Sequence, residues 1–169
     1  MTDLEYATQE ALARRTFYMA IACGSVAGKY SYVQLYNPAD SGVNVMLDQF
    51  FLWGGHPVAS SEHGINYFST PLDNPGIGGE YRGHLVSTMY PNTMSKACLY
   101  LAAHTQVLGL RGPYNLPDYV VQTPKNDGEV IDHRLPYPII LAPNTGILFW
   151  HAAAPYEEKV GLWIREQPV

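Results

Sequence analysis

Apolar and polar positions alternate with a period of two through the strongest segments of this chain, and the longest such stretch runs from Tyr30 to Gly54. In its first arm Tyr30, Tyr32, Gln34 and Tyr36 alternate with Ser31, Val33 and Leu35. Asn37-Pro38-Ala39-Asp40-Ser41-Gly42 then interrupts the pattern with turn formers. Proline presets φ, Asn and Asp bond nearby backbone, and Gly accepts φ > 0. In the second arm Val43, Val45 and Leu47 alternate with Asn44, Met46 and Asp48, before an apolar run from Phe50 to Trp53. The pattern predicts a long hairpin with one apolar side, which needs a further layer to cover it.

The other period-two segments are shorter. Thr16–Cys23 reads as a strand with Phe17, Met19 and Ile21 on one face, and further strands are expected over 65–69, 81–90, 97–103, 106–110 and 129–134. Residues 112–125 carry three prolines and read as an excursion loop around Tyr119-Val120-Val121. Near the carboxy end, Pro138–Ala142 and Ile147–Ala152 flank the turn Pro143-Asn144-Thr145-Gly146, and Val160, Leu162 and Ile164 alternate with Gly161, Trp163 and Arg165. The one helical pattern is Thr2–Arg15: Thr2 and Glu5 have capping-box spacing, and Leu4, Ala7, Ala11 and Leu12 share a face. Many short strands with frequent turns predict an all-β fold. The expected form is an antiparallel β-sandwich or jelly roll, divided into an amino-terminal helix or arm over 1–23 and a single sandwich domain over 24–169.

Composition sharpens this picture. A chain of 169 residues, 47% apolar, supports one core. Charged residues make up only 15%, against about 25% in an ordinary domain, while tyrosines number 13. Two readings fit: a surface covered by neighbours, where Tyr is enriched and Lys and Glu depleted, or the preference of Tyr for strands. The net charge of −5 is unclustered and gives no reason to expect a nucleic-acid partner. No apolar run approaches the ~20 residues of a membrane span. The start, MTDLEYATQEALARR, lacks an apolar signal core, so synthesis in a reducing cytoplasm is expected.

Candidate chemistry is thin. His56, His63, His84, His104, His133 and His151 form no HxH, HxxxH or HExxH spacing, so neither a metal nor another cofactor is expected. Cys23 and Cys98 stand outside any CxxC pattern and read as two free buried thiols, with a disulfide between them as the open alternative. Gly24-Ser25-Val26-Ala27-Gly28 has the wrong spacing for a nucleophile elbow, and Gly76-Ile77-Gly78-Gly79 lacks the Gly-Lys-Ser/Thr of a phosphate loop. Asp118, Asp127, Glu129 and Asp132 read as a solvated acidic stretch rather than a glycosidase pair. Catalysis is therefore not expected. Binding is the better candidate: Trp53, Tyr114 and Tyr119 are the residues for stacking a glycan, unless the tryptophans, Trp150 and Trp163 above all, face the core.

Two segments resemble a known class. Lys29-Tyr30-Ser31-Tyr32-Val33-Gln34-Leu35-Tyr36-Asn37-Pro38 with its Ser-Gly turn and Val-rich strand, and the ILAPNTG turn followed by Leu162-Trp163-Ile164-Arg165-Glu166, are similar to small tailed-phage virion proteins of β-sandwich type. The resemblance covers residues 29–54 and 138–166. It implies a role and no site residues: a capsid-decoration, collar, tail or fibre component that contacts copies of itself and other virion proteins. With that role, the amino-terminal segment is expected to dock on a neighbour through Leu4, Tyr6, Leu12, Phe17 and Tyr18. The alternative is a receptor-binding jelly roll that takes a glycan.

Overall fold

The structure, a computed structural model, describes residues 5, 8–9, 14–53, 62–72, 83–87, 93–105, 118–122, 130–151 and 157–169. Ten strands are defined: β1 (Thr16–Cys23), β2 (Tyr30–Asn37), β3 (Val43–Trp53), β4 (Glu62–Tyr67), β5 (Gly83–Ser87), β6 (Met94–His104), β7 (Tyr119–Gln122), β8 (Val130–Leu141), β9 (Thr145–His151) and β10 (Glu158–Pro168). All pairings are antiparallel, in the order β7-β4-β9-β2-β6-β5-β1-β10-β3-β8. The order folds into two packed layers, β7-β4-β9-β2-β6 and β1-β10-β3-β8, making an all-β sandwich. Strand β5 pairs with β6 on one side and β1 on the other, so hydrogen bonding runs from layer to layer along that edge.

The long central segment is not a hairpin. Its two strands form where expected, but β2 pairs with β6 and β9 whereas β3 pairs with β10 and β8. Residues 38–42 therefore carry the chain from one layer to the other. The segment 138–151 does the same, because β8 lies beside β3 and β9 beside β2. The two crossings are stacked. The buried Asn37 amide donates to Val43 O and Leu141 O, both at 2.8 Å. Asn144 N donates to Asn37 O at 2.8 Å, and Tyr36 OH to Asn144 Oδ1 at 2.7 Å. Asn144 sits at φ 63°, a left-handed conformation that Asn tolerates better than most residues.

Between the layers lies the main core. Val33, Leu35, Ile147 and Phe149 from one sheet meet Phe17, Leu47, Phe50, Leu52, Val160, Leu162 and Ile164 from the other. The sheet containing β2 is buried on its outer face as well. There Tyr32, Tyr36, Tyr100, Leu148, Trp150 and Leu72 form a second cluster. This accounts for several of the tyrosines and for the low charge: β2 has no solvent face. Residues 68–72 are held over that face by Gln34. Its Nε2 donates to Phe68 O at 3.1 Å and Thr70 O at 2.9 Å, and its Oε1 accepts from Leu72 N at 2.9 Å. Replacing it, Gln34→Leu, strands three backbone groups. We expect a loss of about 2 kcal/mol in urea unfolding; an unchanged midpoint would mean that water replaces the clamp.

Two irregularities shape the layer β1-β10-β3-β8. Asp48 is skipped in the β3–β10 register, which passes from Trp163↔Gln49 to Ile164↔Leu47. The extra residue makes a β-bulge, and its carboxylate is held by two 2.6 Å bonds from Arg165 Nε and Nη2. Opposite, the β3–β8 register jumps from Gln49↔Arg134 to Leu47↔Ile139, so Leu135-Pro136-Tyr137-Pro138 leaves the ladder. The expected short strands over 129–134 and 138–142 are thus one strand, and the prolines sit where no ladder N–H is needed.

The amino-terminal boundary also differs. Thr16–Cys23 pairs with β10 along its whole length, so the sandwich includes residues assigned by sequence to the arm. Of residues 1–13, only Glu5, Thr8 and Gln9 are described, with helical backbone, and the rest of the expected helix lies outside the described residues. The expected strand 106–110 lies outside them too, while Tyr119-Val120-Val121 of the expected loop is β7.

Candidate functional site

Opposite the edge bridged by β5, the layers end in β7 and β8, and a cleft of about 300 Å³ opens between them. Buried Phe50, Ile65 and Ile147 form its floor, with Asn66 contributing there while its side chain faces the other side of the sheet. Strand β8 supplies one wall through Leu135 and Pro136 of its excursion and through Ile139, where the ladder resumes. At the mouth stand Tyr67, Tyr119 and Tyr137, which are 40%, 53% and 83% exposed, together with Asp118. The local sequence explains this shape. The register jump in β8 pushes its chain outward, and in β4 Ile65 points to the core while Tyr67 ends the strand. Asp118 is positioned by accepting the Tyr67 backbone N–H at 2.7 Å. Asn66 is oriented by Trp150, whose Nε1 donates to its Oδ1 at 2.6 Å.

A second cluster lies inside the sandwich. His63 and His151 are direct cross-strand partners with ring centroids 5.1 Å apart, and both are buried. Glu158 is fully buried, and its carboxylate oxygens lie 2.9 and 3.1 Å from His63 Nδ1. Burial drives its carboxyl above the ordinary 4.5, and His63 opposes that rise. Cys23, the β1 partner of Glu158, donates from its thiol to Ala102 O at 3.3 Å, and burial pushes the thiol up as well. A thiol held protonated in this way is a poor nucleophile. The cluster acts as an internal polar tie between β4 and β10. Among the described residues no group of His, Cys, Asp and Glu has metal-holding geometry.

The residues singled out by sequence are scattered over the molecule. Phe17 is 1% exposed in the main core, so it packs within its own chain. Tyr18 is half-buried on the outside of its layer, with Phe51 and Trp163 at ring distances of 6.1 and 6.0 Å. Leu4, Tyr6, Leu12 and Tyr114 lie outside the described residues. Trp53 lines a shallow depression with Ala20, Ile21, Ala22 and Lys159, apart from the cleft that contains Tyr119. The two residues therefore do not make one stacking platform. Trp150 is buried on the outer face of its sheet, and Trp163 faces outward at 36% exposure. Neither cysteine is in a disulfide, and both are buried. In the acidic stretch Asp118 serves Tyr67 and Asp132 accepts from the Gln49 amide, while Asp127 and Glu129 lie outside the described residues.

Sequence reasoning missed both the cleft and the His63–Glu158 pair. A signal for the pair exists: His63 is in phase with Ile65, His151 with Ile147 and Phe149, and Glu158 with Val160 and Leu162, all core positions. No protein-family model, curated protein or solved structure matches the chain.

Proposed function

We propose that this protein is a non-catalytic structural subunit of a phage particle, a homo-oligomer that acts through contacts with copies of itself and with other virion proteins. The particle is named by the resemblance of residues 29–54 and 138–166. The observation that carries the mode of action is the open edge of the sandwich. Strand β8 pairs only with β3 among the described strands and exposes Val130, Tyr137 and Ile140, and facing β7 exposes Tyr119 and Val120. Exposed apolar edges of this kind invite association. Pro136 and Pro138 have no N–H to offer a new strand, so the contact is through side chains rather than ladder extension.

Light scattering over a concentration series tests this reading. The full chain is expected to form a discrete oligomer, and Tyr137→Arg with Ile140→Arg to reduce it to monomer without lowering the melting temperature. A chain lacking residues 1–13 tests the arm separately. Truncation to residue 20 would remove most of β1 and report on folding instead. A wild-type monomer at every concentration would remove self-association, and an oligomer indifferent to the β8 changes would move the interface elsewhere.

A further inference from the structure

We propose that the cleft between β7 and β8 binds a small amphiphilic organic cation, with its apolar body inward and its ammonium head at the mouth. The polarity of the cleft runs in one direction. The floor is built on the side chains of Phe50, Ile65 and Ile147, while the Asn66 side chain turns to the outer face of its sheet, where its carbonyl accepts from Trp150. The mouth gathers three tyrosine rings and one carboxylate. Tyrosine faces attract cations through the ring quadrupole, and Asp118, held by Tyr67 N, adds a negative charge beside them. No lysine or arginine is among the lining residues described.

This arrangement selects on charge and on orientation. An anionic head would meet Asp118 at the mouth, within a chain of net charge −5. A lysine or arginine of a partner protein would enter with its charge foremost and strand it on the apolar floor, at a large desolvation cost. A free amine with an apolar tail places each end in matching surroundings. The volume of about 300 Å³ falls at the small end of known ligand sites. Tyr119 and Tyr137 also belong to the edge proposed for self-association, so the two readings compete for one surface. Titrating the full chain carrying Ile140→Arg, outside the cleft lining, alongside the wild type separates failure of one from failure of the other.

Calorimetric titration of the full chain with hexylamine, hexanol and hexanoate tests it, since the three probes share one body and differ in head charge. Hexylamine is expected to bind about 5–10-fold more tightly than hexanol, the size of a partly exposed cation–π contact joined to one carboxylate. Hexanoate should bind most weakly. Added salt should weaken the amine alone. Asp118→Asn, which keeps an acceptor for Tyr67 N, should bring the amine toward the alcohol without changing the melting temperature. Equal binding of amine and alcohol, stronger binding of hexanoate, or no binding of any probe at millimolar concentration would overturn the proposal.

Discussion

Gly64→Ala is expected to destabilise this protein by about 3 kcal/mol or more, because overpacking here has no route of relief. Gly64 stands directly opposite Trp150 in the β4–β9 pairing. A Cβ added at Gly64 would lie 2.2 Å from Trp150 Cε2 and 2.4 Å from Cζ2 and Nε1. The indole cannot simply swing away. Its N–H is bonded to Asn66 at 2.6 Å, and Tyr30 and Tyr32 pack against it at ring distances of 6.0 and 6.4 Å. Moving the ring would break the Asn66 bond and open the outer-face cluster, adding the cost of a buried unsatisfied amide. In a domain of this size the loss lowers the melting temperature by roughly 10 °C. Thermal unfolding of G64A checks the size, and G64A combined with Trp150→Leu checks the cause. The double variant should be clearly more stable than the sum of the single losses predicts. Additive losses would show that the strain lies in the backbone of β4 rather than against the ring.

The same pair shows why some of this fold was legible and some was not. Strands β1 and β10 were readable because each has one buried face, so Phe17 and Val160, Leu162 and Ile164 recur with period two. Strand–turn–strand at 30–54 was equally readable as two strands, yet its pairing was not. Residues facing a core alternate in the same way whether the two arms bond to each other or face each other across the sandwich. What distinguishes the cases is Asn37, whose side chain bonds Val43 O and Leu141 O across the crossing, and a side-chain bond to a strand 104 residues away leaves no local pattern. Tyr32 and Tyr36 are among the 13 tyrosines whose number fitted a surface covered by neighbours. That surface is covered within the chain, in part by 68–72, through a glutamine that reads locally as a polar strand residue. The prolines of β8 fall at the junction of the two short strands expected over 129–134 and 138–142, where the chain departs locally from the ladder. They could not indicate that the departing residues wall a cleft, since the opposing floor comes from β3, β4 and β9.

The second large effect is expected at the buried His63–Glu158 contact. His63→Leu should cost about 3 kcal/mol, the penalty for leaving a buried carboxyl group without its hydrogen-bond partner. Glu158 is fully buried, so its carboxylate has no water to turn to when His63 is lost. The sign of the pH dependence follows from the direction of its shift. Burial holds the folded carboxyl above 4.5, so over the range from 4.5 up to the folded value the native state keeps a proton that the unfolded chain has released. Stability from this group is therefore fully present below about pH 4.5 and is lost as pH rises through the folded value. His63 opposes the upward shift, so His63→Leu should extend that loss to higher pH and deepen it. Glu158→Gln keeps an acceptor near His63 Nδ1 and has nothing to titrate, so this contribution to the slope should vanish. Replacing both, as His63→Leu with Glu158→Met, should recover most of the single-variant loss, because apolar groups of similar size replace buried pairs at little net cost. Urea unfolding from pH 4 to 9 on the wild type and the three variants separates these outcomes. A His63→Leu penalty independent of pH would assign its cost to packing beside His151 instead of to the charge on Glu158.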